Sequence, residues 1–244
     1  MKTVIVIPTY NESQNIAELV SCIRSECNGL DVDILVVDSA SPDRTADKVR
    51  EIQKRDPQVF LLEQSAKLGL GRAYLDGMAW VLARPYNAVV TMDADLSHHP
   101  KYLRPMLDAI VENDIVVGAR YIRDGGVENW PLARQCLSRF ANWYASTLMG
   151  LPFHDVTSGF QCFRTNLLQK VLRYNIHTEG YAFLVELKFL SIIQRARFEE
   201  IPIIFTDRTR GVSKISKRVI FESMLFVLSR FFRRSRVREA LSKK

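Results

Sequence analysis

The chain has 244 residues, 47% of them apolar and 25% charged, with a formal net charge of +7. That balance suits one large globular domain with a short appendage and excludes both a disordered chain and a disulfide-stapled miniature. Cys22, Cys27, Cys136 and Cys162 form no Cys-x-x-Cys pair and lie in apolar surroundings, so they read as reduced, buried thiols of a cytoplasmic protein.

In chain order, short β-branched runs at 3–8, 33–38, 59–63, 88–93 and 114–118 alternate with helically spaced stretches such as 15–24, 45–54 and 72–82. Strand, helix, strand predicts right-handed βαβ units and an α/β fold with a doubly wound, mostly parallel sheet flanked by helices. The first run turns polar at Asn11, too early for a signal-peptide core, and no stretch reaches the ~18 apolar residues that span a bilayer. In such a sheet, ligands bind beyond the carboxyl ends of the strands.

Those ends are polar in concert: Pro8-Thr9-Tyr10-Asn11-Glu12, Asp38-Ser39-Ala40-Ser41-Pro42-Asp43 and Asp93-Ala94-Asp95-Leu96-Ser97. Any one of them reads equally well as a helix cap, but three together point to a shared site. Asp93 and Asp95, at i and i+2, can converge on one hard divalent cation, Mg2+ or Mn2+, which takes oxygen ligands and shares its remaining positions with water and phosphate. His98 and His99 follow as surface or supporting residues. Gly69-Leu70-Gly71 follows the third strand and has Tyr74 where a dinucleotide fingerprint needs glycine. No Gly-x-x-x-x-Gly-Lys-Ser/Thr loop occurs, so NAD enzymes and P-loop NTPases drop out. The two glycines serve a tight turn into a helix.

The charge is uneven. From Asp207 onward there are 12 Lys+Arg and 3 acids, a net of +9, whereas residues 1–206 carry 22 basic and 24 acidic residues, a net of −2. A nearly neutral body with a basic tail calls for an anionic partner.

The motifs resemble those of family 2 glycosyltransferases of GT-A fold, and among them the polyprenyl-phosphate (dolichyl-phosphate) mannose synthases. The similar segments are Pro-Thr-Tyr-Asn-Glu (8 to 12), Val-Val-Asp-Ser-Ala-Ser-Pro-Asp-Arg-Thr (36 to 45), Lys-Leu-Gly-Leu-Gly-Arg-Ala-Tyr (67 to 74) and Met-Asp-Ala-Asp-Leu-Ser-His-His-Pro (92 to 100). They continue with Gly-Ala-Arg-Tyr (118 to 121), Gly-Gly-Val-Glu-Asn-Trp-Pro (125 to 131), Asp-Val-Thr-Ser-Gly-Phe (155 to 160), Gly-Tyr-Ala-Phe (180 to 183) and Gly-Val-Ser-Lys (211 to 214). The resemblance implies a catalytic domain over 1–215 and an amphipathic basic C-terminal helix and tail over 216–244. It also implies inverting, Mg2+- or Mn2+-dependent transfer of mannose from GDP-mannose to a polyprenyl monophosphate. Pro8, Tyr10, Glu12 and Asp38 would hold the nucleoside, and Asp93, Ala94 and Asp95 the metal-bound diphosphate. Ser97 is a third candidate metal ligand where some members have Gln; the family usually has Asp at Ser39 and Gly at Arg44.

An acceptor phosphate and a donor diphosphate are both anionic, so cations must line their path. Arg120, Arg134, Arg208 and Lys214 are assigned to them, with Ser138 adding a hydrogen bond and Asp155 and Glu186 as candidates for the sugar hydroxyls. Ile220, Met224, Val227, Leu228 and Phe231 share one helical face, widened by Phe221, Leu225 and Phe232, and Arg230, Arg233, Arg234, Arg236 and Arg238 follow. That pattern suits a helix lying on an anionic membrane, peripheral on the cytoplasmic face, with room for a membrane partner subunit, or else a helix packed on the catalytic body with only its arginines in solvent. A UDP-sugar donor of glucose type is the alternative within the class. A nucleic-acid-binding protein is a remote one, disfavoured by the acidic body.

Overall fold

The computed structural model describes residues 1–207 and 223–228. Arg208, Lys214, the expected domain boundary at 215/216 and nearly all of the proposed C-terminal helix lie outside those residues; 223–228 are helical. The elements run β1 (Thr3–Thr9), α1 (Ile16–Glu26), β2 (Val32–Asp38), α2 (Thr45–Gln53), β3 (Val59–Glu63), α3 (Leu70–Leu82), β4 (Ala88–Thr91), α4 (Leu103–Ala109) and β5 (Ile115–Ala119). They continue β6 (Gly126–Glu128), α5 (Leu132–Met149), β7 (Gln161–Arg164), α6 (Thr165–Val171), α7 (Gly180–Ile193), β8 (Phe198–Pro202) and β9 (Ile204–Thr206).

The main sheet has seven strands in the order β3-β2-β1-β4-β7-β5-β8. All its pairs are parallel except those of β7, which runs antiparallel to β4 and β5. β6 and β9 form a separate parallel pair. The period of two in a strand explains why β1 reads as an unbroken apolar run. Val4 and Val6 point into the core under α3, α5, α6 and α7, while Ile5 and Ile7 point into the core under α1, α2 and α4. A Cβ on Gly77 would stand 2.6 Å from Val6 Cγ1, so glycine is what lets α3 lie directly on β1.

Several expectations are corrected in detail. The fourth strand ends at Thr91, not at residue 93, which leaves Asp93 in the loop beyond the sheet. α3 starts at Leu70 because Gly69, at φ 101, turns the chain in a conformation that residues with a Cβ rarely adopt. The antiparallel β7 was not foreseen: its four residues follow directly on the 155–160 motif and carry too short an apolar run to stand out as a strand. Finally, only Cys27 and Cys162 are buried; Cys22 is half-buried and Cys136 is exposed on α5, while all four are free thiols.

Candidate active site

The carboxyl ends of β1, β2 and β4 form one wall of a cleft. Thr9 lies opposite Asp38 in the β1–β2 register, which brings Pro8, Tyr10, Glu12 and Asp38 to one place. Asp38 is buried and accepts from the Thr9 hydroxyl (2.9 Å), the Ser41 amide (2.9 Å) and the Ser41 hydroxyl (2.6 Å), so it shapes the loop that follows β2. Glu12 accepts from Asn15 Nδ2 at 2.8 Å, and the Lys67 ammonium lies 3.9 Å from the centre of the Tyr10 ring. Ser39 donates to Gln64 at 2.7 Å, a side-chain bond that the family's usual Asp would make in another way.

Beyond β4, Asp95 Oδ1 accepts from the Ser97 amide (3.2 Å) and hydroxyl (2.5 Å), and Tyr74 reaches Asp93 at 3.5 Å. Burial, reinforced by the charge of Asp93, raises the Tyr74 hydroxyl well above its usual range, so it remains a protonated donor. Of the two places expected for it, surface or supporting, His98 takes the supporting one. It is buried, stacked on Phe160 with centroids 5.0 Å apart, and its Nδ1 accepts from the Asp93 amide at 3.1 Å. Burial lowers its pKa, so the imidazole is neutral with its proton on Nε2, and the 3.7 Å approach to Asp93 Oδ2 is no ion pair. His99 is exposed and caps the turn at Lys101.

The residues present fit a hard divalent cation: two carboxylates and a hydroxyl, all oxygen donors on a short loop, with the remaining positions left to water and phosphate. Among the described residues no group of three or more His, Cys, Asp or Glu side chains surrounds one point, so a fully protein-built cage is not the design.

The opposite wall is basic. Arg120 is buried and forks onto Asp155, Nε to Oδ2 at 2.7 Å and Nη2 to Oδ1 at 2.8 Å, with Nη2 also 2.8 Å from the Thr157 hydroxyl. Burial opposes both charges, yet each partner holds the other ionised: Arg120 is raised and Asp155 lowered. Asp155 is therefore committed to Arg120, whose backbone amide it also accepts at 3.0 Å, instead of facing sugar hydroxyls as expected. Glu186 is likewise buried, accepting from Thr178 at 2.8 Å. Lys188, which the sequence reading passed over, is wholly buried and donates to the Ser158 carbonyl at 2.8 Å; burial lowers it to about 7 against the pull of Asp155 and Glu200.

Arg134 pairs with Asp207 at 2.8 Å and stacks 3.9 Å from the centre of the Trp130 ring. Ser138 accepts from the Tyr121 hydroxyl at 2.7 Å. Between the walls lies a polar cavity of about 110 Å³ that includes Asp93, His98, Arg120, Trp130, Arg134 and Tyr181. A second cavity of about 300 Å³ lies between α5, α7 and residues 223–227, with Leu137, Phe140, Tyr144, Val185 and Val227 in its lining. Trp130, Arg134, Thr157 and Tyr181 line both.

A doubly wound sheet with a carboxylate loop at its carboxyl edge and guanidiniums facing it is suited to a metal-bound, phosphate-bearing substrate. Residues 4–172 match the model of "Glycosyl transferase family 2", and the chain belongs to that family of glycosyltransferases. It is 40% identical over 228 residues to a "Polyprenol monophosphomannose synthase" of Mycolicibacterium smegmatis, covering 93% of this chain and 85% of that one. To an "Undecaprenyl-phosphate mannosyltransferase" of Micrococcus luteus it is 36% identical over 227 residues, covering 93% of each. Among solved structures, glucosyl-3-phosphoglycerate synthase of Mycobacterium tuberculosis, crystallised with Mn2+, UDP-glucose and phosphoglyceric acid, superposes with a TM-score of 0.66 at 17% identity, covering 95% of this chain and 80% of that one. That likeness supports the GT-A fold alone.

Proposed function

We propose that this chain is a polyprenyl-phosphate mannose synthase, transferring mannose from GDP-mannose to a polyprenyl monophosphate with inversion at the anomeric carbon. The observation that carries this reading is the meeting of the polar cleft with the apolar cavity at Arg134 and Trp130. An acceptor with a phosphate head and a prenyl tail needs such a junction; a sugar or glycerate acceptor does not. The names of the two relatives point the same way.

The chemistry follows from charge. An oxygen of the acceptor phosphate attacks the anomeric carbon, the bond from that carbon to the diphosphate oxygen breaks, and the electron pair leaves on the nucleoside diphosphate. A phosphate monoester has its second pKa near 6, so the nucleophile is already anionic at pH 7 and no general base is needed. Asp93 and Asp95, with Ser97 beside them, would hold Mg2+ or Mn2+, which supplies positive charge to the diphosphate as it departs. Arg120 lends a fixed cation whose position is set by Asp155, and Arg134 is the exchangeable one, able to trade Asp207 for a phosphate oxygen. Arg208 and Lys214 extend this cationic path in the reading from sequence. Pro8, Tyr10, Glu12 and Asp38 hold the nucleoside.

Peripheral attachment to the cytoplasmic face of a membrane fits the exposed apolar face of α5, where Leu132, Leu137, Phe140 and Trp143 stand outside the core. α5 contains no acidic residue. No helix among the described residues is long and apolar enough to cross a bilayer.

Two measurements test the proposal together: thermal shift with GDP-mannose against UDP-glucose, each with Mg2+ or Mn2+, and transfer of labelled sugar to a polyprenyl phosphate. Stabilisation by GDP-mannose and label in the lipid phase are expected. Stabilisation by UDP-glucose alone would move the assignment to a glucosyl donor, and absence of label in lipid would overturn the acceptor.

A further inference from the structure

Trp130 poses a problem that its neighbours do not. Its side chain is 8% exposed and lines both cavities, yet its indole Nε1–H has no hydrogen-bond acceptor among the described residues. A buried N–H without a partner destabilises a fold by about 1–3 kcal/mol, and a native chain that keeps one has a use for it.

Its surroundings say what would satisfy it. The Arg134 guanidinium lies 3.9 Å and the Arg120 guanidinium 5.7 Å from the ring centre, and Phe205 meets the ring edge-on at 5.4 Å. The Trp130 carbonyl accepts from Gln135 at 3.0 Å and Pro131 follows at once, so the backbone beneath the indole is pinned to the start of α5. Arg120 is already held by Asp155, whereas Arg134 is held by a partly exposed pair with Asp207 that an incoming anion can replace. No acidic side chain lines the apolar cavity, where Arg134 is the single charged residue. The ligand at this junction therefore carries its negative head at Trp130 and Arg134 and an apolar chain beyond them.

We propose that the Trp130 indole N–H donates a hydrogen bond to a phosphate oxygen of the lipid acceptor, making it an acceptor-binding residue beside Arg134. This rests on the reading of the acceptor as a prenyl monophosphate. The N–H is buried in the ligand-free protein, and Arg134 is stacked on the face of the indole. Only a half-exposed ion pair with Asp207 holds it, so a phosphate that draws Arg134 away rearranges the surface of the ring. An N–H on a rigid aromatic frame then adds one more directed donor to the fork of the guanidinium, and it favours an oxygen acceptor at the head of the chain over a purely apolar ligand.

The test replaces the N–H while keeping the ring. Benzothienylalanine placed at position 130 by codon suppression substitutes sulfur for the N–H at nearly constant shape, and Trp130→Phe serves as a second variant. Binding of farnesyl phosphate, farnesol and GDP with Mg2+ is measured for each against the wild-type full chain. The expected result is a loss of farnesyl phosphate affinity of about 5- to 100-fold in both variants. Farnesol and GDP affinities stay unchanged in the benzothienylalanine protein, and its thermal midpoint without ligand is equal or higher. Unchanged farnesyl phosphate affinity in both variants would overturn the inference. So would an equal loss for farnesol, which would make the ring a contact of the chain, or an equal loss for GDP, which would assign the N–H to the donor. If wild-type protein binds farnesyl phosphate no better than farnesol, the acceptor reading itself fails, and this inference with it.

Discussion

The two walls of the cleft are built on opposite plans. On the carboxylate wall each loop is closed by local bonds, Ser97 to Asp95, His98 to Asp93 and Ser41 to Asp38, all within five residues, although Thr9 also ties Asp38 to β1 across 29. On the guanidinium wall they join distant parts of the chain: Arg120 to Asp155 across 35 residues, Lys188 to Ser158 across 30 and Arg134 to Asp207 across 73. The first wall is a set of loops largely shaped by their own sequence, which we propose grip a ligand through a metal, whereas the second comes into being only when the fold closes. Damage to the first should thus cost activity before stability, and damage to the second should cost both.

The largest effect separates them most sharply. Asp95→Asn retains an oxygen that can accept from Ser97 but removes a negative ligand, and a bound metal ion is worth several kcal/mol of charge stabilisation at such a site. Transfer should fall by about 1,000-fold while the urea midpoint hardly moves. A protein that remains active would remove the metal from this loop. Asp155→Asn is its counterpart. It leaves the Arg120 guanidinium buried without a counter-charge, a change that typically costs about 3–5 kcal/mol, so the expected outcome is a large drop in unfolding free energy along with lost transfer. Full stability in that variant would mean that the arginine wall is not assembled by this pair.

The same contrast explains what could be read from the sequence. The βαβ order, the strand ends and the Asp93/Asp95 pair were legible because each is a short-range pattern: apolar period, then polar loop, then helix. Asp155 and Glu186 were placed on the sugar because a carboxylate in a motif looks the same whether it faces a ligand or a buried arginine. Only the pairing across β5 and the loop before β7 tells the two apart. Likewise His98 and His99 could only be read together as surface or supporting residues, since nothing in a His-His dipeptide reveals that one ring stacks on Phe160 while the other faces solvent. Lys188, inside an apolar helical run, carried the one usable signal: a lone lysine amid Phe183, Leu184, Val185, Leu187, Phe189 and Leu190 must find a partner or lose its proton.

That lysine gives a smaller and pH-resolved effect on the guanidinium wall. Burial lowers it from its ordinary 10.5 to about 7, so between pH 7 and 10.5 the unfolded chain binds more protons than the folded one. Stability from this group therefore rises as pH increases across that window, by at most roughly 1 kcal/mol per pH unit, and is flat below pH 7, where both states are protonated. Lys188→Met abolishes this slope. Urea titrations of wild type and variant at pH 7, 8 and 9 should diverge steadily, and parallel curves would show that the lysine is neutral or charged in both states throughout.

The smallest effect belongs to the carboxylate wall, whose tight loops hold Asn11, Ala40, Arg44 and Leu96 at positive φ. Arg44, at φ 65 and ψ 29, precedes α2 at the position where family members usually have glycine. A left-handed conformation costs a residue with a Cβ about 1–2 kcal/mol, which Arg44→Gly would relieve. Against that, glycine gains about 0.5–1 kcal/mol of freedom in the unfolded chain, and the exposed, solvent-screened ion pair with Asp47, 2.9 Å long, is lost. The backbone term is the largest of the three, so a gain between zero and about 1 kcal/mol is expected, and Arg44→Ala, which keeps the strain and loses the pair, should fall below wild type. If glycine instead destabilises, the Asp47 pair fixes this loop, and the carboxylate wall depends on side-chain anchoring more than its short-range turns imply.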